Sequence, residues 1–186
     1  KMSRPEKMTF FSAYHLTENS FDKFIHHNYE HLKSSCNKSV TSSGAVILGS
    51  PLINASILTE NSYLKLISSI KTKFEDKPLI YRAHRNESDE QLNKISLCIG
   101  LNVVRSDMPI EMEIMDGRAP NEVISLYSAA LNNINIIFGS RIHCYCIEFD
   151  LDQILTERDR LEAKKIYNSY KRLQSEHFKL IRLEHE

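Results

Sequence analysis

The sequence carries no net charge, because 24 lysines and arginines balance 24 aspartates and glutamates over 186 residues. Nothing in that balance steers the chain toward nucleic acid or an anionic membrane, and nucleic-acid binding would need a local basic patch. Long hydrophobic runs are also missing. Ala45 to Leu48 and Ile134 to Phe138 fall far short of the roughly 20 residues that span a bilayer. No signal-like charged and apolar run opens the chain, and a first residue Lys1 rather than Met suggests a processed product or an excised piece. Cys36, Cys98, Cys144 and Cys146 show no CxxC spacing and read as reduced thiols, since disulfide frameworks belong mainly to small secreted chains without a core. There is no GxGxxG and no Walker A motif, which disfavours a standard dinucleotide or P-loop site. Internal repeats and low-complexity tracts are absent too.

What is present fits one well-buried domain, with 41% hydrophobic residues. Met8 to Tyr14 reads as a strand. Thr17 then opens a helix on which Phe21, Phe24, Ile25, Tyr29 and Leu32 share helical spacing. Ser34 to Gly44 is small and polar, a loop or hinge. From Ala45 the pattern is regular: a strand at Ala45 to Leu48, a helical face through Tyr63, Leu64, Leu66, Ile67 and Ile70, and a strand at Leu79 to Ala83 make a βαβ unit. Glu87 to Ile95 reads as a short helix and Leu101 to Arg105 as a third strand. Asn121 to Asn132 reads as a helix introduced by Pro120, with Asn135 to Gly139 and Ile142 to Phe149 as two further apolar segments. Asp152 to Glu176 should be a long amphipathic helix, or two joined ones, packed across the domain. The expected fold is α/β, a Rossmann-like and mostly parallel sheet with helices on both faces and a long carboxyl-terminal helix. Its divisions are 1–44, 45–150 and 151–186.

Three motifs sit where strands end: Leu48 to Leu52 (LGSPL), Tyr81 to His84 (YRAH) and Met108 to Glu111 (MPIE). In an open parallel sheet the carboxyl ends of the strands form one ligand-binding edge, so these polar groups can converge. Gly49 lets the backbone of Gly49 and Ser50 turn tightly and approach a ligand; a simple turn explains it as well. His84, flanked by Arg82 and Arg85, can donate a proton or hydrogen bond to a departing phosphate, or be a surface histidine. Glu111, just after Pro109, can hold ribose hydroxyls; Asp107, Glu113 and Asp116 crowd the same loop as solvated charge. Ser125 and Ser128, at i and i+3, would share a helix face that either holds phosphate oxygens or packs on the sheet. His143, Cys144 and Cys146 invite a zinc reading, but strand alternation splits the histidine from the cysteines and favours buried strand thiols.

Taken in order, these residues resemble the carboxyl-terminal half of bacterial sialyltransferases, most closely the lipooligosaccharide enzymes of glycosyltransferase family 52 and more distantly the polysialyltransferases. The match runs from LGSPL, with Tyr63 downstream, through Tyr81 to Glu87 and MPIE to Tyr127–Leu131. The resemblance implies the nucleotide-binding half of a GT-B fold: an inverting, metal-independent transferase without cofactor that moves sialic acid from CMP-sialic acid to a glycan acceptor. His84 would then serve the leaving CMP phosphate, Glu111 the ribose, and Ser128, helped by Ser125, the phosphate. Gly49 and Ser50 would lie against the nucleotide, with Arg82 and Pro109 completing the substrate-binding set. The family pattern His-Pro-Arg-Glu appears here as His84, Arg85, Asn86 and Glu87, without the proline. The family's general base is an upstream aspartate. None occurs between Leu48 and Phe74, so Glu60 is the nearest acidic substitute, or else a helix-start residue.

A GT-B enzyme has two Rossmann-like domains, so the acceptor domain is expected to be absent or severely shortened. Family resemblance also implies a cytoplasmic protein with a peripheral station at the inner membrane; a homodimer is left open. Two other classes stand beside the enzyme: a noncatalytic nucleotide-binding module, and a helical interaction protein built on the charged terminal helix.

Overall fold

The computed structural model describes residues 7–13, 22–35 and 42–183. Its elements are β1 (Thr9–Ser12), β2 (Lys23–His26), α1 (Glu30–Ser35), β3 (Ser42–Leu48), α2 (Glu60–Lys73), β4 (Leu79–Arg82), α3 (Asp89–Lys94), β5 (Asn102–Val104), α4 (Ile110–Met115), β6 (Pro120–Ser125), α5 (Ala129–Phe138), β7 (His143–Glu148), α6 (Glu157–Leu173) and β8 (Phe178–Arg182). β1 and β2 pair in a small parallel sheet; the other strands form one six-stranded sheet ordered β5-β4-β3-β6-β7-β8, with every neighbour parallel. The chain enters at β3, winds outward through β4 and β5, then crosses to β6 and winds the other way. That is the doubly wound order, and its reversal lies between β3 and β6.

The central strands form because their apolar residues are contiguous and β-branched, as strands buried on both faces require. Ile47 and Ile124 are register partners and both are wholly buried. Each such side chain contributes about 1.5–3 kcal/mol of burial. Helices cover both faces. Phe74, closing α2, packs its ring on Tyr145 at 5.3 Å, whereas Tyr170 of α6 packs on Phe178, the register partner of Cys144. Adjacent positions on β7 point to opposite faces, so α2 and α6 lie on opposite sides. Thr59, Ser88, Ser128 and Thr156 start α2, α3, α5 and α6, each in extended conformation with its hydroxyl accepting from a first-turn amide.

Several segments differ from the sequence reading. Phe24 and Ile25 lie in β2, paired with Phe10 and Phe11 of β1, rather than on a helix; the Phe10 and Phe24 rings stack at 5.3 Å. Among the described residues the first helix begins at Glu30, and the expected helix start at Thr17 and Phe21 falls outside them, as does Cys36. The sheet already includes Ser42, so the small polar segment ends in strand.

Asn121 to Ser125 is strand β6, not the start of a helix. Pro120 suits the first residue of a strand as well as of a helix, and the unbroken buried run Val123 to Leu126 has no helical period. Helix starts after Ser128 and takes in Asn135 to Phe138. The terminal helix spans Glu157–Leu173 and is followed by β8, which completes the sheet, so the carboxyl-terminal segment belongs to the Rossmann-like unit.

α6 is bound to this sheet through its apolar face. Ala163, Tyr167 and Tyr170 are buried, and the two hydroxyls donate to the carbonyls of Ile147 (3.1 Å) and Ser128 (2.7 Å). It is a cover for the domain, which removes the main support for an interaction protein built on that helix.

Cys144 and Cys146 are wholly buried on one face of β7, and burial pushes the Cys144 thiol up to about 12 and the Cys146 thiol higher still. His143 sits on the other face, its Nε2 3.3 Å from Nδ1 of His177. Among the described residues no three His, Cys, Asp or Glu side chains gather to hold a metal.

Candidate functional site

The loops after β3, β4, β5 and β6 leave along one edge of the sheet, on either side of the reversal between β3 and β6. They carry Gly49 and Ser50, His84, Pro109 and Glu111, and Ser125 and Ser128 respectively. The three strand-end motifs therefore lie along the same carboxyl edge of the doubly wound sheet.

The first two loops are joined from beneath by a buried hydrogen-bonded unit. Glu87, 3% exposed, lies under Gly49. Its Oε1 accepts from the Tyr81 hydroxyl (2.5 Å) and Gln91 Nε2 (2.9 Å), and its Oε2 accepts from the His84 amide (2.7 Å). The Tyr63 hydroxyl lies 2.8 Å from that of Tyr81 and accepts from the Ser50 amide at 3.0 Å. A β-carbon on Gly49 would collide with Glu87 Oε2, and would stand 2.8 Å from the Tyr81 hydroxyl and 3.0 Å from the His84 amide nitrogen. Glycine is required here by close approach, not by an unusual φ. Burial, foremost, raises both tyrosines far above their ordinary range, so they remain phenols able to donate. Burial also pushes the Glu87 carboxyl upward, against the hydrogen bonds from Tyr81, the His84 amide and Tyr63 and the charge of Arg105. With donors arriving at both oxygens, the network fits the carboxylate.

His84 stands at the surface of this unit, partly buried. Its Nδ1 accepts from the Asn86 amide at 3.1 Å, so in the neutral ring the proton resides on Nε2. No described residue hydrogen-bonds Nε2, which leaves an N–H donor at the strand edge. Burial, and then the neighbouring Arg85, lower the imidazole pKa below its ordinary 6.5, so the free protein holds His84 neutral at pH 7. Asn54, in the loop after β3, donates to the Asn86 carbonyl and fastens the two loops together.

The third loop is held by Arg82. Its guanidinium makes two bonds to the Glu113 carboxylate (3.1 and 3.2 Å) and a further one to the Met108 carbonyl. Burial would raise the Glu113 carboxyl, but hydrogen bonds from Arg82 and Ser106 and the charges of Arg82 and Arg118 outweigh it and hold the group below the usual carboxylate range. Arg82 thus positions the loop on which Pro109 starts α4 and Glu111 occupies its first turn. Glu111 is half-buried, and its Oε1 accepts from Asn133 of α5 at 3.0 Å. Asn133 Oδ1 in turn accepts from the Tyr29 hydroxyl at 3.2 Å, tying the amino-terminal segment to this loop.

The two serines take different places. Ser128 is the half-exposed N-cap of α5, its hydroxyl accepting from the Ala130 amide at 3.2 Å. That terminus presents backbone N–H groups and the positive end of the helix dipole to the reversal point, where an anion is favoured. Ser125, the last residue of β6, is wholly buried, and its hydroxyl has no partner among the described residues. It lies beneath the site, not on the same helical face as Ser128.

Glu60 is the first residue of α2, and both of its oxygens are 2.9 Å from Lys94 Nζ. Accepting a proton there requires that ion pair to open. The residues that sequence reasoning left out are Gln91, Asn54 and Asn133, and Tyr63, Tyr81 and Glu87 entered only as motif positions. An acidic residue three positions after His84, following directly on a strand, is the signal that could have pointed to the buried unit.

The profile described as alpha-2,8-polysialyltransferase (POLYST) matches residues 3–146, which include all four strand ends of the site. This is the more distant of the two resemblances drawn from the motifs. A search among curated proteins returns no match.

Proposed function

The chain belongs to the alpha-2,8-polysialyltransferase family, and from that premise we propose that the strand edge of Gly49, Ser50, His84, Pro109, Glu111 and Ser128 is the donor site of a sialyltransferase-like glycosyltransferase. The donor in this reading is CMP-sialic acid and the acceptor a glycan hydroxyl. That oxygen attacks the anomeric carbon of the sialic acid, giving its proton to Glu60 once the Lys94 ion pair opens, as the bond from that carbon to the CMP phosphate oxygen breaks with its electron pair to the phosphate, so the configuration inverts. The His84 Nε2–H donates to the departing phosphate, and the amino terminus of α5 with Ser128 receives its charge. The unengaged oxygen of Glu111 holds the ribose, and Gly49 brings the backbone close to the nucleotide. No step in this scheme calls for a metal ion or a cofactor.

The observation that carries the reading is the Nε2–H of His84, which no described residue engages, fixed in its tautomer by the Asn86 amide and set across the sheet reversal from the start of α5. Donor binding is tested by calorimetric titration of CMP into the wild-type chain and into Glu111→Ala and Ser128→Ala. Saturable binding that weakens by about 1–3 kcal/mol in each variant is expected, the usual cost of stranding such contacts. Unchanged affinity in both variants would remove the site from this edge.

The engagement of both Glu60 oxygens by Lys94 favours a second reading, a noncatalytic nucleotide-sugar binding module. It predicts the same CMP affinity with no transfer to any acceptor. No helix among the described residues is long and apolar enough to cross a membrane, and the proposal keeps a peripheral station at the cytoplasmic face of the inner membrane.

A further inference from the structure

Beneath the nucleotide-facing backbone of Gly49 and Ser50 runs a hydrogen-bond chain with one consistent direction. The Ser50 amide donates to the Tyr63 hydroxyl, that hydroxyl lies 2.8 Å from Tyr81, and Tyr81 donates to Glu87 Oε1. Ser50 N–H cannot accept, so the Tyr63 proton goes to Tyr81 or directly to Glu87 Oε1 at 3.4 Å, and the Tyr81 proton to the carboxylate. Each bond polarises the next. At the far end Glu87 Oε2 receives the His84 amide, while the Glu87 amide donates back to the His84 carbonyl at 3.0 Å. This reciprocal pair closes the turn that carries the imidazole. Arg105 adds a bond from its guanidinium to the Glu87 carbonyl at 2.9 Å, and Gln91 of α3 supplies the remaining donor.

We propose that Glu87 is a positioning residue for the transfer reaction: its buried carboxylate locks the His84 turn to the Gly49–Ser50 backbone, and so fixes where Nε2–H meets the donor phosphate. The inference rests on the donor-site reading given above. Glu87 does not touch the substrate in this scheme, since Gly49 covers it; it acts through the backbone of residue 84. The charge of the carboxylate is secondary to its acceptor geometry. An amide at this position can keep an oxygen toward the His84 N–H. Its NH2 would then face Tyr81, whose hydroxyl can rotate to accept, and Gln91, whose amide can turn to present the Oε1 that has no partner among the described residues. An apolar side chain of similar size can do none of this.

Glu87→Gln and Glu87→Leu therefore separate the role from bulk packing. The measurements are the His84 amide and imidazole NMR signals of the free protein, CMP affinity by calorimetry, and turnover of CMP-sialic acid alone and in a double-mutant cycle with His84→Ala. In Glu87→Gln the His84 amide is expected to stay hydrogen-bonded, with CMP affinity within about threefold of the wild type. In Glu87→Leu that amide signal moves to an unbonded position, and affinity and turnover fall at least tenfold while the melting transition stays cooperative. On the His84→Ala background the Leu substitution costs little further turnover, because the residue it acts through is gone. Should Glu87→Leu not fold, Tyr81→Phe removes the 2.5 Å donor and leaves the carboxylate in place. It is expected to shift the His84 signals and weaken CMP by threefold to tenfold. Wild-type CMP binding with unchanged His84 signals and affinity in the Leu variant, or additive effects in the cycle, overturns the positioning role alone. A folded wild type that does not bind CMP overturns the donor-site reading, and the role with it.

Discussion

Gly49→Ala is expected to abolish measurable CMP binding and to lower stability by about 1–3 kcal/mol, the usual cost of forcing a methyl group into a packed site. The added β-carbon meets Glu87 Oε2, the Tyr81 hydroxyl and the His84 amide together. A collision with the free end of a surface side chain would be relieved by rotation. Here the carboxylate is bound from both sides, and the third atom is backbone of the His84 loop. The loop after β3 or the loop after β4 must therefore move, and both carry the proposed donor site. Calorimetry and a thermal melt on the same sample measure the two effects. A variant that melts like the wild type and binds CMP normally would show that the two loops do not meet the ligand as a unit.

For His84→Ala the expected loss is in turnover, by about 10²–10⁴, the range that a positioned proton donor contributes. CMP affinity at pH 8 should change far less, because the neutral imidazole of the free protein offers one hydrogen bond. The pH dependence follows from the direction of the shift. Burial and Arg85 hold the free imidazole below 6.5, so it is unprotonated at neutral pH. A bound phosphate places negative charge beside Nε2 and favours the imidazolium. The complex then carries more protons than the free protein, and by linkage the affinity rises as pH falls from 8 toward 6. The part of that slope beyond what the titration of CMP's own phosphate (second pKa about 6) contributes should vanish in His84→Ala. An alanine variant with the wild-type slope and turnover would take His84 out of the chemistry.

The α/β class and the sheet edge shared by Gly49, His84 and Glu111 were both legible in the sequence, whereas several element boundaries were not. Gly49, His84 and Glu111 each follow a short apolar run, and a parallel sheet sends all such ends to one edge, so their convergence follows from alternation of strand and helix alone. The helix assigned to Asn121–Asn132 went astray because Pro120 is compatible with the first position of either element. Only the burial of Val123 to Leu126 on both faces of a central strand decides between them. β2 was hidden because Phe24 and Ile25 suit a helix face equally well, and pairing with β1 is a tertiary fact. β8 followed a strongly helical stretch whose charge masked the change of period at Phe178. The Glu87 unit is a different case. Tyr63, Tyr81 and Glu87 come from α2, β4 and the loop after β4, and apart from the place of Glu87 three residues after His84 nothing in their spacing says that their polar atoms share one buried point.

In the proposed reading Glu87 anchors the His84 turn, and Gly49 leaves the space that this anchor needs. Arg85, where the resemblance leads one to expect proline, needs no rigid ring on this account, because Glu87, Asn86 and Asn54 already hold the loop through hydrogen bonds.

The most direct test is to titrate CMP into the isotopically labelled wild-type chain and follow its backbone amide signals. The account predicts saturable shifts at Gly49, Ser50, His84, Glu111 and residues 128–130, along the carboxyl edge on both sides of the β3 and β6 reversal. Shifts confined to the opposite edge, around His143 and His177, or a titration that moves no amide at all, would contradict it.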